Sequence, residues 1–183
     1  MHSRQSGFSL LEVLTVLMAG LLISGLALMG FKEGVATLSA TSAEEIIAGK
    51  LRQAREMAIA QRKCVKVSFT ESNVLQIHVQ NTLSSATLVE EVPLPAGITY
   101  SDPISGYTPD GMSGLYDVRG CWLVFFGDGS ARAEASSTGP RNNVIHISRS
   151  DRSSHTASSA VTVLGSTGRV HAYHFDASRG GWY

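Results

Sequence analysis

From Phe8 to Phe31 the chain reads FSLLEVLTVLMAGLLISGLALMGF, apolar on every side and interrupted by one ionisable residue, Glu12. As a helix this stretch reaches ~36 Å, enough for the ~30 Å hydrocarbon core of a bilayer, so the pattern predicts a membrane span. Beyond Phe31 the pattern turns amphipathic. Ile47, Leu51, Ala54 and Ala58 recur at three- and four-residue spacings without an intervening proline, while Glu44, Glu45, Lys50, Arg52, Gln53, Arg55 and Glu56 mostly take the other angles. One continuous helix from Phe8 to about Gln61 would be ~80 Å long, with Gly34 and Gly49 each weakening it by ~1 kcal/mol relative to alanine. After Arg62 the period becomes two. Cys64–Phe69 and Val74–Val79 alternate as half-buried strands, and Thr87–Leu94, Gly97–Tyr100 and Asn143–Ser148 follow as further strands. Cys121–Phe126 and Ser130–Glu134 flank Gly127-Asp128-Gly129, whose Asp-Gly pair accepts the positive φ of a hairpin turn. Val161–Phe175 reads as a last strand bent by Gly165-Ser166-Thr167-Gly168. The fold class expected is α+β: a long N-terminal helical stem, its first half membrane-spanning and its amphipathic second half packed on an all-antiparallel β head.

Composition narrows the class. The chain has 183 residues, 43% hydrophobic and only 16% charged, which excludes a disordered polyelectrolyte and leaves room for one full-sized domain with attachments. Eighteen glycines lack a three-residue period and there are only two cysteines, so collagen-like and disulfide-dense scaffolds are also excluded. Fifteen basic residues balance fifteen acidic ones, so no global field attracts nucleic acid or an anionic membrane. Any such binding must be local.

The N-terminal segment departs from a secretory signal. Such a signal places a small-residue cleavage site after its apolar run, whereas here no A-x-A-like site lies between Met29 and Lys32 and the polar leader Met1–Gly7 ends in glycine immediately before the run. Glu12 adds a second anomaly. A carboxylate at the centre of a membrane helix costs ~2.5–3.5 kcal/mol, and the residues one turn away, Phe8, Ser9, Thr15 and Val16, hold no cation. A partner from another chain, the amine that cleavage would free at Phe8, or a return to interfacial water would relieve it. Flanking charges, Arg4 and Lys32, barely distinguish the two orientations.

Gly7-Phe8-Ser9-Leu10-Leu11-Glu12-Val13 resembles the class III prepilin signal of type IV pilins and type II secretion pseudopilins. Phe125-Phe126-Gly127-Asp128-Gly129-Ser130, Asn143-Val144-Ile145-His146-Ile147 and Thr167-Gly168-Arg169-Val170 are similar to the carboxyl half of the GspH/FimT family of minor pilins and pseudopilins. The resemblance implies that a prepilin peptidase cuts between Gly7 and Phe8 and N-methylates Phe8, and that Glu12 neutralises the Phe8 amine of a neighbouring subunit during filament assembly. It further implies a cleaved leader (1–7), a transmembrane half-helix (8–31), an amphipathic half-helix (32–62) and a β-rich periplasmic head (63–183), held by a single span in the bacterial inner membrane. The partners implied are other minor and major pilins or pseudopilins and an inner-membrane assembly platform, with a role in priming assembly or near the tip. Where relatives carry proline in the membrane helix, this chain has Gly20, Gly25 and Gly30.

Catalytic motifs are missing: there is no G-x-S-x-G and no H-E-x-x-H, so a membrane-anchored periplasmic β-domain enzyme is the weaker alternative and no cofactor is expected. No metal site is expected either: Asp128 is a lone carboxylate in a turn, and although His146, His171 and His174 could meet across strands, His171 and His174 point to opposite faces of their strand. Cys64 and Cys121 are either bridged, which would stabilise by ~4 kcal/mol in the chain-entropy model, or two buried thiols. In FimT-type minor pilins associated with DNA uptake a G-R-x-R motif contacts DNA. The similar Gly168-Arg169-Val170-His171 replaces the second arginine with histidine, and Arg149 and Arg152 add local positive charge, which keeps a DNA-binding minor pilin as an alternative. Two long connections, Ser101–Gly120 and Ser148–Ser159, are expected to be irregular and either to carry specificity or to be mobile.

Overall fold

The structure, a computed structural model, describes residues 9–70, 73–82, 85–112, 114–133, 139–150, 158–176 and 178–183. Gly7, Phe8, Arg152 and most of the Ser148–Ser159 connection therefore lie outside the described residues. Two compact units follow one another, Met1–Thr37 and Leu38–Tyr183. In the first, helix α1 (Leu10–Gln61) begins with the Glu12 and Val13 amides donating to the Ser9 carbonyl. Over Leu10–Ala27 its mean hydropathy is 2.2 and every side chain is exposed, so this stretch is long and apolar enough to cross a membrane. Its hydroxyls are satisfied without water: Thr15 Oγ1 donates to the Glu12 carbonyl (2.9 Å) and Ser24 Oγ to the Gly20 carbonyl (2.8 Å).

In the second unit α1 buries the stripe that its spacing predicts. Ala43, Ile47, Leu51, Ala54 and Ala58 are all fully buried, and the helix stops where Arg62 turns left-handed at φ 52°. Two sheets receive that stripe. The first runs β3-β2-β1-β6-β7 and comprises β1 (Val65–Thr70), β2 (Val74–Thr82), β3 (Ser85–Pro93), β6 (Trp122–Phe125) and β7 (Ala131–Ala133). The second runs β11-β10-β9-β8-β4, from β4 (Ile98–Tyr100), β8 (Asn143–Arg149), β9 (Ser159–Val163), β10 (Val170–Asp176) and β11 (Gly181–Trp182), with β5 (Tyr116–Asp117) beside β8. Val65, Val67 and Phe69 alternate inward along β1 and Leu75, Ile77 and Val79 along β2, as the period of two requires. They join Leu123, Phe125, Ile145, Ile147, Val161 and Val163 in one core under the helix.

The structure corrects the sequence expectation at three places. Val161–Phe175 is not one bent strand but the β9–β10 hairpin, because Gly168 adopts φ 62° and the Leu164 amide closes on the Arg169 carbonyl (2.9 Å). The head is not all-antiparallel: β5 lies parallel to β8, with Tyr116 opposite Asn143. It takes up the part of the β8 edge that β4 leaves after Ile147, where the Asn142 and Val144 carbonyls would otherwise lack donors. The Ser101–Gly120 connection is also built into the fold. Its Ile104 and Pro109 are buried, and Arg119 ties its two ends by donating to Asp117 Oδ2 (2.8 Å) and Asp102 Oδ1 (2.6 Å).

That connection makes the second sheet two-sided. Ile145 and Val161 face the helix, while Val144, His146, Ala160 and Thr162 face outward yet are also buried. They lie under a ring cluster in which Phe175 meets Tyr107 and Trp182 at 5.2 Å each and His146 meets Trp182 at 5.7 Å. A strand buried on both faces reads as a continuous run, which is why every residue of β9 is buried.

Candidate functional site

The motif segments of the carboxyl half converge on one junction against α1. The β6–β7 hairpin closes through Phe126 and Ser130, with Gly129 at φ 85°, and Asp128 Oδ1 accepts the Ser130 amide (2.9 Å) and hydroxyl (2.6 Å). Those two donors hold the Asp128 carboxyl below its usual pKa and make it a turn residue. The β9–β10 turn docks beside it. Gly165 donates to Asn142 Oδ1 (3.0 Å) and accepts the Ala131 amide (2.8 Å), which links the hairpin of the first sheet to the hairpin of the second. Arg55 Nε of α1 donates to the Thr167 carbonyl (2.8 Å) and fastens both to the helix. Two glycines are sterically required here: a Cβ on Gly165 would come closer than 3.0 Å to the Arg141 backbone, and one on Gly168 closer than 3.0 Å to the Gly129 carbonyl.

Beside this junction Arg52, Arg55 and Glu56 of α1 face Thr167, Gly168 and Arg169 across an open groove of about 460 Å³. Arg55 is fixed by Thr167, whereas the Arg52 and Arg169 side chains are exposed and have no partner among the described residues. Sequence reasoning singled out Arg169 but placed Arg52 and Arg55 only on the wet side of a helix. Their convergence depends on a contact 112 residues away in sequence.

The other expected sites are scattered. Arg169 levels with Asn142 across the β8–β9–β10 ladder, so Arg149 lies about seven residues along β8 from it, ~24 Å at ~3.4 Å per residue. Arg149 and Arg169 do not share a patch. His171 stacks on Tyr173 (6.1 Å, 23°). Cys64 and Cys121 are free, half-buried thiols, and the register explains why. Val65 pairs with Phe125 and Ser68 with Trp122, which holds the two cysteines five residues apart along β1, ~17 Å against the ~7 Å that a bridge tolerates. The intrachain disulfide is thereby excluded, and Cys121 Sγ lies instead 3.6 Å from Tyr116 Oη. Among the described residues no three His, Cys, Asp or Glu side chains gather as metal ligands. Glu12 stands exposed in the first turn of α1 and its carboxylate has no partner among the described residues.

No family model matches the sequence, and no curated protein matches it. Among solved structures, two of the minor pseudopilin EpsH from the type II secretion system of Vibrio cholerae superpose with TM-scores of 0.52 and 0.51. They are 12% identical and the match covers 75% and 73% of this chain and 94% and 95% of theirs. The chain has the fold of a minor pseudopilin. The type IV minor pilin FimU of Pseudomonas aeruginosa also matches, at 17% identity over 72% of this chain and 85% of its own, with a TM-score of 0.49. In the minor-pseudopilin fold of this chain, the glycines of the carboxyl-half motifs serve packing: they let two hairpins and a helix meet at backbone distance.

One buried group gives the head a pH dependence. His146 is 3% exposed, its Nδ1 lacks a hydrogen-bond partner among the described residues, and burial holds its pKa below the usual 6.5, with Asp117, Arg119 and Asp102 as smaller influences. The unfolded chain therefore binds this proton before the folded chain does. Stability is complete above pH ~6.5 and falls as the pH drops below it, by up to ~1.4 kcal/mol per pH unit. His78, lowered by burial and then by Lys66, acts in the same direction. Denaturant midpoints measured across this range should fall in acid, and His146→Leu should flatten the curve. An unchanged slope in that variant would clear His146 of the effect.

Proposed function

We propose that this chain is a structural subunit of a type IV pilus or type II secretion pseudopilus, stored in the bacterial inner membrane by its apolar helix with the head in the periplasm. Assembly proceeds through α1, with the chain priming the filament or standing near its tip among other minor and major subunits. The observation that carries the reading is the joining, in one chain, of a fully exposed apolar helix stretch with a head of minor-pseudopilin fold. A buried-face helix of a soluble domain would not leave Leu10–Ala27 bare. Prepilin peptidase removes residues 1–7 after Gly7 and methylates Phe8, and the Phe8 amine of one subunit answers the Glu12 carboxylate of another. The paired charges relieve the ~2.5–3.5 kcal/mol that an isolated acid costs in the apolar phase. The assembly platform supplies the work, and the subunit itself needs no cofactor.

The test has two parts. Mass spectrometry of the mature chain from cells that hold the peptidase should find an N-methylated Phe8 at the amino end, and retention of residues 1–7 would sink the reading. Glu12→Ala should lower the amount recovered in sheared filaments at least tenfold while leaving the denaturation midpoint of the head unchanged. Wild-type incorporation of that variant would remove the charge-pairing step.

A further inference from the structure

The outer face of the second sheet is closed in part by a strand of two residues. β11 forms the edge of that sheet after Gly180 turns left-handed at φ 62°, and it pairs with β10 through Phe175 with Trp182 and Asp176 with Gly181. The His174 and Tyr183 backbones extend the ladder by one mutual pair of bonds (2.9 and 3.0 Å). From this strap Trp182 lies over His146 (5.7 Å) and Phe175 (5.2 Å). Rings alone make the contact. His146 Nδ1 and Trp182 Nε1 are both buried and neither has a hydrogen-bond partner among the described residues, so closure forgoes bonds that both groups make wherever water reaches them.

The charges around His146 suit its protonated form. Asp117 stands opposite Val144 in the β5–β8 register, on the same face and two residues from His146, and Asp102 follows Ser101, whose amide donates to the His146 carbonyl. Arg119 pairs with both acids, which leaves two carboxylates to one guanidinium. β9 presents Ala160 and β10 Tyr173 in the row of His146, while Tyr107 of the connection reaches Phe175. At the β10–β11 turn Asp176 and Arg179 pair with each other (3.5 Å), and His174 lies on the opposite face of β10, where it is exposed with the strap closed.

We propose that β11 is an acid-released strap: proton uptake by His146 lifts Trp182 and its neighbours Gly181 and Tyr183 from the outer face of the second sheet, while the core under α1 stays folded. Local release breaks one short edge ladder and one set of ring contacts, whereas unfolding the head would also break the β8–β9–β10 ladder and that core. Burial sets the direction. It holds closed His146 below its usual pKa of 6.5, and in the open form water and the two acids reach the ring, so protons bind the open form more tightly. Each pH unit below ~6.5 then favours opening up to ~tenfold, until the closed form also protonates. Opening uncovers Phe175 and His146 and turns a closed face into an aromatic surface. The strap belongs to the head, and its release does not depend on the filament reading.

The experiment uses the full chain in detergent micelles carrying Trp122→Phe, which leaves Trp182 as its one tryptophan. From pH ~7.5 to pH ~5, acrylamide quenching of Trp182 should rise at least ~threefold, and protection of the Tyr183 amide against hydrogen exchange should fall by up to ~tenfold per pH unit. The Gln80 amide, bonded to the Cys64 carbonyl in the first sheet, should keep its protection. His146→Leu should remove both responses. In Trp182→Ala the imidazole NMR signals of His146 should titrate at an ordinary histidine pKa, because the cover is gone. Constant Trp182 accessibility, a response that survives His146→Leu, or loss of Gln80 protection at the same pH would each overturn the proposal. If His146→Leu does not fold, Trp182→Ala decides: a His146 that still titrates below the usual range without Trp182 over it overturns the strap.

Discussion

Gly165→Ala should lower the stability of the head by about 3 kcal/mol, because the new methyl enters a space held by the Arg141 backbone and no flexible side chain is there to yield. The loss is larger than a loop substitution normally brings. The Gly165 carbonyl accepts the Ala131 amide and its own amide donates to Asn142 Oδ1, so any retreat of the turn breaks the bonds that join the two sheets. A denaturant titration followed through Trp122 and Trp182, the two tryptophans of the chain, reads the effect directly. Gly49→Ala is the control. Its Cβ would meet nothing within 4 Å on the helix, and the variant should be more stable by ~1 kcal/mol. Equal midpoints for Gly165→Ala and the wild type would show that the junction can open without loss.

Phe125→Ala should cost about 4 kcal/mol, and Phe126→Ala about 1 kcal/mol, although the two are neighbours of the same type. Phe125 is fully buried in the core beneath α1. Phe126 faces the other way and is half-buried, with the Arg132 guanidinium 4.8 Å from its ring centre. Thermal midpoints separate the two outcomes, since ~4 kcal/mol corresponds to a fall of ~10 °C in a domain of this size. Similar losses in both variants would contradict the register of β6 against β1.

The proposed charge contact and these packing effects occupy different parts of the molecule. Glu12 lies in the exposed apolar stretch, whereas Gly165, Gly168 and Phe125 act inside the head. Variants of Glu12 are expected to alter assembly without unfolding, and variants of the second group to unfold the head before assembly is reached.

The sequence by itself determined the elements whose signal is local. The apolar run, the stripe Ile47-Leu51-Ala54-Ala58 and the alternation along Val65–Phe69 and Val74–Val79 each follow from a period that neighbouring residues display, and each is found where expected. The Asp128-Gly129 turn is of the same kind, because a positive φ is a property of one residue. Tertiary structure alone decided what depends on register and on contacts between distant segments. The distance between Cys64 and Cys121 follows from the pairing of β1 with β6, the separation of Arg149 from Arg169 from the β8–β9–β10 ladder, and the parallel β5 from the free edge of β8. The glycines of the β9–β10 turn, Gly165 and Gly168, could be recognised in the sequence, but their reason could not. Only when the Arg141 backbone, the Gly129 carbonyl and Arg55 arrive from three other places in the chain does the missing side chain become a steric requirement.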